Sequence, residues 1–298
     1  MMSLHYVSLL VSSALGLVLA IPSNTCIVMG NLDIIRKKGK LSPSDVIFLG
    51  KGIVNILLQC AMSLRGMLYV LSSEVNAFVN TSIYFLMYYS FWLTFWLSAH
   101  YCTSITNLSY GFFIWIKRIV SNFLSRLLFL TALGMFPVSV LTNWAISEES
   151  HIQSSENSTG DSIINVSYQV NISYFMSANT LGCILPFCLS LLCLVLTFSF
   201  LLRHVWRVKN NDSGSTRPNL QAHVTALRTI FFLLLMFTFF CMTLVGTVRP
   251  NSSLLTVFLN VLLFYPSAEA AIIFQASNKL RRIILRRFWT RIWRNSET

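Results

Sequence analysis

No charged side chain occurs before Asp33. An opening run that long exceeds the roughly 20 apolar residues with which an α-helix crosses a bilayer. Six more charge-poor apolar runs follow, and together they predict spans at about Tyr6–Met29, Val46–Leu71, Ile83–Tyr110, Leu127–Ile146, Asn179–Leu202, Thr229–Val248 and Leu254–Ala276. Buried core helices are the ordinary reading of one such run. They cannot account for seven. The chain is 55% hydrophobic and only 11% charged over 298 residues, against about 25% charged in a soluble domain, and one water-soluble core of this size cannot bury that much apolar surface. The N-terminus lacks a basic n-region and a small-residue cleavage site, so it reads as a retained first span and not as a signal peptide.

Loop charge sets the orientation. Arg36, Lys37, Lys38 and Lys40 follow the first span, and Lys117, Arg118 and Arg126 follow the third. Arg203, Arg207, Lys209, Arg217 and Arg228 follow the fifth, and seven more basic residues lie from Lys279 to Arg294. One side therefore carries 19 of the 22 basic residues, and only Arg249 lies in a loop on the other. Lys/Arg bias in short loops marks the cytoplasmic face, so the N-terminus is predicted outside and the tail inside. The net charge of +12 is thereby assigned to inner-leaflet lipid and a docked protein rather than to nucleic acid. The loop of about 147–178 is acidic and holds the sequons Asn157-Ser-Thr, Asn165-Val-Ser and Asn171-Ile-Ser, as an outside loop would. The tail of about 279–298 alternates Ile284, Leu285, Phe288, Trp289 and Ile292 with arginines, which predicts a short amphipathic helix on the inner leaflet. The whole chain, 1–298, reads as one domain.

Several chemistries are missing. The seven cysteines all lie in or beside apolar runs, with no disulfide framework and no metal-type spacing. HExxH, GxSxG and a glycine-rich phosphate loop are absent from the sequence, and an enzyme is not expected. Cofactors are not expected either. A transporter usually carries several intramembrane ionisable groups and broken helices. Here Lys51 and Arg65, near the two ends of the second span, are expected to snorkel to the interfaces, and the uncharged run of the third span, extending to Ile116, is expected to tilt or protrude. Glu269 reads either as an ion site or as a paired or hydrated acid in the inner half of the last span.

Aromatic residues crowd the outer half of the third span in "YFLMYYSFWLTFWLSAHY". Spacing of four puts Tyr88, Trp92 and Trp96 on one face, with Tyr89 one short turn above Trp92. Such stripes either pack against lipid and other helices or line an outward-opening apolar pocket for small hydrophobic ligands.

The motifs narrow the class. Marks of rhodopsin-like receptors are missing: there is no Cys at the outer start of the third span, no DRY at its inner end and no NPxxY in the seventh. The stretch "WLTFWLSAHYCTSITNLSYGFFIWIK", Trp92 to Lys117, instead resembles the third span of the type 2 (bitter) taste receptors through Leu97, Ser98, Tyr101, Ile105, Asn107, Ser109, Phe113, Trp115 and Lys117. His223, Ala226, Leu227, Arg228 and Thr229 match that family's HxxALKT, with Arg for Lys. "PFCLSL" from Pro186, "YPSAEAAIIFQASNKLR" from Tyr265, the "KLSPSD" loop and Asn24 also agree. Three positions depart: Asn55 stands where the family usually has arginine, Ser104 where it has lysine, and Glu269 where it often has histidine.

The resemblance implies an all-α membrane protein, a seven-transmembrane-helix bundle of the G-protein-coupled receptor type. It implies small organic ligands entering from outside, and a heterotrimeric G protein of gustducin or inhibitory type on the inner face, in the plasma membrane. Trp92, Tyr89, Trp96, Tyr88, Asn179, Phe240 and Leu255 become candidate ligand contacts. Tyr101, Asn107, Lys117, His223, Arg228 and Lys279 become candidates for coupling and switching, with His223 either titrating near neutral pH or satisfied structurally. Homo- or hetero-oligomers are compatible with this reading. A vomeronasal type 1 pheromone receptor is the related alternative, which the paired third- and sixth-span motifs disfavour. A small transporter or channel subunit is the alternative from another class.

Overall fold

The structure is a computed structural model that describes residues 4–68, 73–105, 111–149, 167–210, 220–247, 257, 259–277 and 280–286. Its helices are α1 (Leu4–Lys38), α2 (Pro43–Leu68), α3 (Ser73–Ile105), α4 (Gly111–Ala145), α5 (Ile172–Asn179), α6 (Leu185–Asn210), α7 (Leu220–Thr247) and α8 (Tyr265–Ala276). A π-helical turn, Thr180–Ile184, joins α5 to α6 without a break, so the pair forms one fifth span. Helix at 259–262 and a turn at Leu263–Phe264 precede α8 and complete the seventh. Five described segments are long and apolar enough to cross a bilayer. The third helix is not among them, because its centre is loaded with Tyr, Trp, Ser and Thr, which lower its hydropathy without charging it.

The outer surface is apolar, unlike that of a soluble bundle, and the largely apolar core encloses a set of polar side chains. Phe129 is 69% exposed and Leu133 62% on the outer face of α4, while Asn24, Asn31, Lys51, Asn55, Gln59, Ser90 and Glu269 are buried. Large apolar side chains pointing outward and polar ones pointing inward are what hydrocarbon solvent selects. Serines and threonines return their hydroxyls to the helix: Thr94 donates to the Ser90 carbonyl, Ser98 to Thr94 and Thr197 to Cys193. Each is thus satisfied without water.

The third helix is the centre of the bundle. It packs on α2, α4, α6 and α7, while α1 lies between α2 and α8, and α8 closes the ring against α7. The first and seventh spans run parallel. Asn260 donates to Ser8 Oγ and Asn24 donates to the Pro266 carbonyl, and further along Gly30 meets Leu280. A Cβ on Gly30 would lie 2.3 Å from Leu280 Cδ1, so the glycine admits this close approach. Leu280 opens the short helix 280–286, where Ile284 is half-buried and Arg281, Arg282, Leu285 and Arg286 are exposed. The rest of the predicted amphipathic tail lies outside the described residues.

Three sequence expectations need correction. The long uncharged run does not tilt out as one third span, because α3 ends at Ile105 and α4 has begun by Gly111. Lys117, Arg118 and Arg126 accordingly belong to α4, and Arg203, Arg207, Lys209 and Arg228 likewise lie on helices rather than in loops. The start of the fifth span also moves, behind a short hairpin in the long loop. Strand β1 (Ile146–Glu149) pairs antiparallel with β2 (Ser167–Val170), and Ile172 rather than Asn179 begins the fifth span. Finally, Lys51 does not snorkel. It is fully buried and paired, because the bundle supplies acceptors at hydrogen-bond distance from its ammonium.

Candidate functional site

The outer aromatic face of α3 meets the fifth span at a place built by one proline. Pro186 has no N–H, and in a regular helix its ring would press on the carbonyl four residues back, that of Gly182. The chain widens into the π-turn, where the Leu185 N–H reaches the Thr180 carbonyl. The next carbonyl, that of Leu181, would need the missing proton of Pro186. It accepts instead from the Trp92 indole Nε1 at 3.2 Å. The ring of Trp92 is half-exposed and lies edge-on to Phe95.

Tyr88, one turn away, is completely buried, its hydroxyl within 3.0 Å of Thr142 Oγ1 and 3.2 Å of Asn179 Oδ1. Its ring lies flat over Gly182, where a Cβ would come within 2.4 Å of it. Gly182→Val is therefore expected to expel the ring and cost about 1–3 kcal/mol by overpacking, read as a lower melting temperature of the purified protein. An unchanged melt would show that the tyrosine gives way freely.

The other aromatic candidates divide. Trp96 donates to Thr131 Oγ1 of α4 at 3.0 Å, and the half-buried Tyr89 stacks on Phe85. Tyr88, Trp92 and Trp96 thus share a face, and that face looks toward α4 and the fifth span. Asn179 is held by Tyr88 and by its own bond to the Phe175 carbonyl. Phe240 lies on α7 with its side chain outside the described part, and Leu255 lies outside the described residues.

Below this face is a floor that sequence reasoning missed. Phe91 of α3 stacks on Phe237 of α7 with ring centres 3.8 Å apart, Phe187 of α6 meets Phe237 edge-on, and Tyr265 meets Phe91 edge-on. Four spans converge on these rings. Directly beneath, the Tyr265 hydroxyl donates to Glu269 Oε1 at 3.4 Å, and Glu269 forms an ion pair with Lys51. Both ions are essentially unexposed. Lys51 Nζ also donates to the Ser90 carbonyl at 3.1 Å and to Ser90 Oγ at 3.3 Å, while Ser90 Oγ donates to Glu269 Oε2 at 3.3 Å. All three ammonium protons and both carboxylate oxygens are used. Of the two sequence readings of Glu269, the structure shows the paired acid.

Arg228 is exposed, donates to Gln275 Oε1 of α8 at 3.2 Å, and sits over the Phe232 ring. It therefore ties the sixth span to the seventh. Tyr101 is half-buried beside His100. Lys117 and His223 lie on α4 and α7 with side chains outside the described part, and Asn107 and Lys279 lie outside the described residues. Of the three sequons, Asn171 is exposed at the start of α5, whereas Asn157 and Asn165 lie outside the described residues. No cluster of three metal-ligating side chains occurs among the described residues.

The described helices form a bundle of membrane type packed around the third helix, with an apolar outer face and a polar network inside. The family model for taste receptor protein (TAS2R) matches residues 1–291, and the chain belongs to that family. It is similar to taste receptor type 2 member 9 of Macaca mulatta and of Homo sapiens, each 26% identical over 91% of this chain and 89% of the relative. Taste receptor type 2 member 7 of Pongo pygmaeus is 27% identical over 85% and 83%. The family is one of receptors, not of enzymes. The chain is a bitter-taste-type chemoreceptor.

Proposed function

We propose that this receptor sits in the plasma membrane with its N-terminus outside and takes small, largely apolar organic ligands from that side. The ligand lies among the third, fifth, sixth and seventh spans, against Trp92 and facing Phe240 and Leu255, with Tyr89 and Trp96 beside Trp92 on the side toward α4. Its binding favours one of two helix arrangements and so shifts an existing equilibrium. Movement at the inner ends, through Tyr101, Asn107, Lys117, His223, Arg228 and Lys279, passes to a heterotrimeric G protein of gustducin or inhibitory type. The observation that carries this reading is the family match along nearly the whole chain, and convergence of four spans on the Phe91–Phe237 floor supports it. The test is a screen of bitter compounds on cells expressing the chain with a promiscuous G protein. Responses that require the receptor support the reading. Ligand-independent solute flux through the purified protein, with no response to any compound, overturns it.

Orientation has its own test. Asn157, Asn165 and Asn171 are expected to carry N-glycans, because three sequons lie opposite the basic face. Changing all three to Gln should abolish the gel shift that an N-glycosidase produces. A shift that survives intact means that this loop is not the glycosylated outer surface or that other sequons dominate, the outer ones being Asn80-Thr-Ser and Asn251-Ser-Ser.

A further inference from the structure

Lys51, Asn55 and Gln59 follow one another at four-residue spacing, so they lie on one face of α2. All three are fully buried. Lys51 is fully engaged, but Asn55 Oδ1 and Gln59 Oε1 have no hydrogen-bond partner among the described residues. A buried amide oxygen left without a donor costs roughly as much as a lost hydrogen bond, so such an oxygen calls for a physical explanation. Asn55 Nδ2 meanwhile donates to Asn24 Oδ1 at 3.1 Å, and Asn24 Nδ2 donates to the Pro266 carbonyl at 3.1 Å. Consecutive turns of α2 thus hold consecutive turns of the seventh span, at Pro266 through Asn24 and at Glu269 through Lys51.

A buried ion pair is poor glue, since apolar residues of the same volume often hold as well or better. What it adds is discreteness. An ammonium in an apolar interior cannot drift. It must pass from one acceptor to another, and an empty acceptor, Asn55 Oδ1, lies one helical turn of about 5.4 Å along the same face. We propose that Lys51 is a two-position switch: on Glu269 in the resting receptor, and on Asn55 Oδ1 in the signalling one. Glu269, once released, keeps the hydroxyls of Tyr265 and Ser90. The trigger is the aromatic floor, because Tyr265 bonds Glu269 and its ring touches Phe91, which stacks on Phe237 of the sixth span. A ligand that displaces these rings moves the carboxylate away from Lys51.

This inference rests on the receptor coupling to a G protein, so two readouts are taken: basal and agonist-driven signalling per receptor at the cell surface, and amide exchange of residues 265–276 in purified protein, which needs no G protein. Asn55→Asp gives Lys51 a rival carboxylate at the second position. It should raise basal signalling several-fold and speed exchange in 265–276. Asn55→Leu removes the second position and should lower the maximal agonist response several-fold without raising basal signalling. A merely structural Asn55 would move both variants in the same direction, and that result overturns the switch. The double variant Lys51→Met with Glu269→Gln, which removes the resting tie without stranding a charge, should raise basal signalling and speed exchange. Basal signalling and exchange both at wild-type levels in this variant also overturn it. Should the double variant fail to reach the surface, Glu269→Asp decides: the pair is kept but shortened by one methylene, so raised basal signalling or faster exchange supports the switch and wild-type values of both overturn it. A wild-type receptor silent to every compound speaks against the coupling alone, and exchange in the Asn55→Asp protein then decides the switch, faster supporting it and unchanged overturning it.

Discussion

Lys51→Met alone is expected to cost about 3–5 kcal/mol, because removing one partner of a buried pair strands the other. Glu269 would lose its ammonium and keep only the hydroxyls of Tyr265 and Ser90. The low end of that range, about 3 kcal/mol, is already a large share of the 5–15 kcal/mol by which folded proteins are usually stable. The check is the surface-delivered fraction and the thermal half-life of the purified receptor, for the single variant beside the Lys51→Met, Glu269→Gln pair. The single variant should be markedly worse than the pair. Equal losses in the two would mean that the charges do not compensate each other.

The pair also marks where sequence reading stopped. Spans were legible because bilayer thickness sets their length and lipid sets their composition, and both act on every residue of a run. Orientation was argued from the loops for the same reason. What joins Lys51 to Glu269, 218 residues apart, is packing, and no local pattern in a single chain encodes it. Lys51 alone resembled an interfacial snorkeler, and Glu269 an ion site or a paired or hydrated acid with no partner named. The departures at Asn55 and Glu269 were visible as oddities, but their link through α2 needed the fold. Helix ends failed for a simpler reason. No charged residue lies between Ile105, where α3 ends, and Gly111, where α4 has begun, so charge alone gave no sign of the boundary. The strands Ile146–Glu149 and Ser167–Val170 are four residues each, too short for an alternation to register. One missed feature did carry a signal: Pro186, read only as part of a family motif, leaves an unused carbonyl five residues earlier, where Trp92 binds.

That carbonyl bears on the remaining prediction. Trp92→Ala is expected to weaken agonist potency roughly ten- to hundredfold, the loss of about 1–3 kcal/mol when one stacked aromatic contact is removed, while surface expression persists. The ring is half-exposed and its indole N–H is already committed to Leu181. A ligand therefore meets the flat face of a ring whose orientation is fixed, and stacking on it requires no particular hydrogen-bond pattern. That suits a receptor tuned to many compounds. Two roles are mixed in the alanine variant, and Trp92→Phe separates them. Phenylalanine keeps an apolar ring but cannot donate to the Leu181 carbonyl. If stacking dominates, Trp92→Phe retains most of the potency and Trp92→Ala does not. If the indole mainly positions the π-turn, both variants lose potency alike, and their melting temperatures fall together because a helix carbonyl is left without a donor. Should Trp92→Ala reach the surface normally and answer every agonist with unchanged potency, the aromatic face of α3 is packing against α4 and the fifth span, and the ligand binds elsewhere.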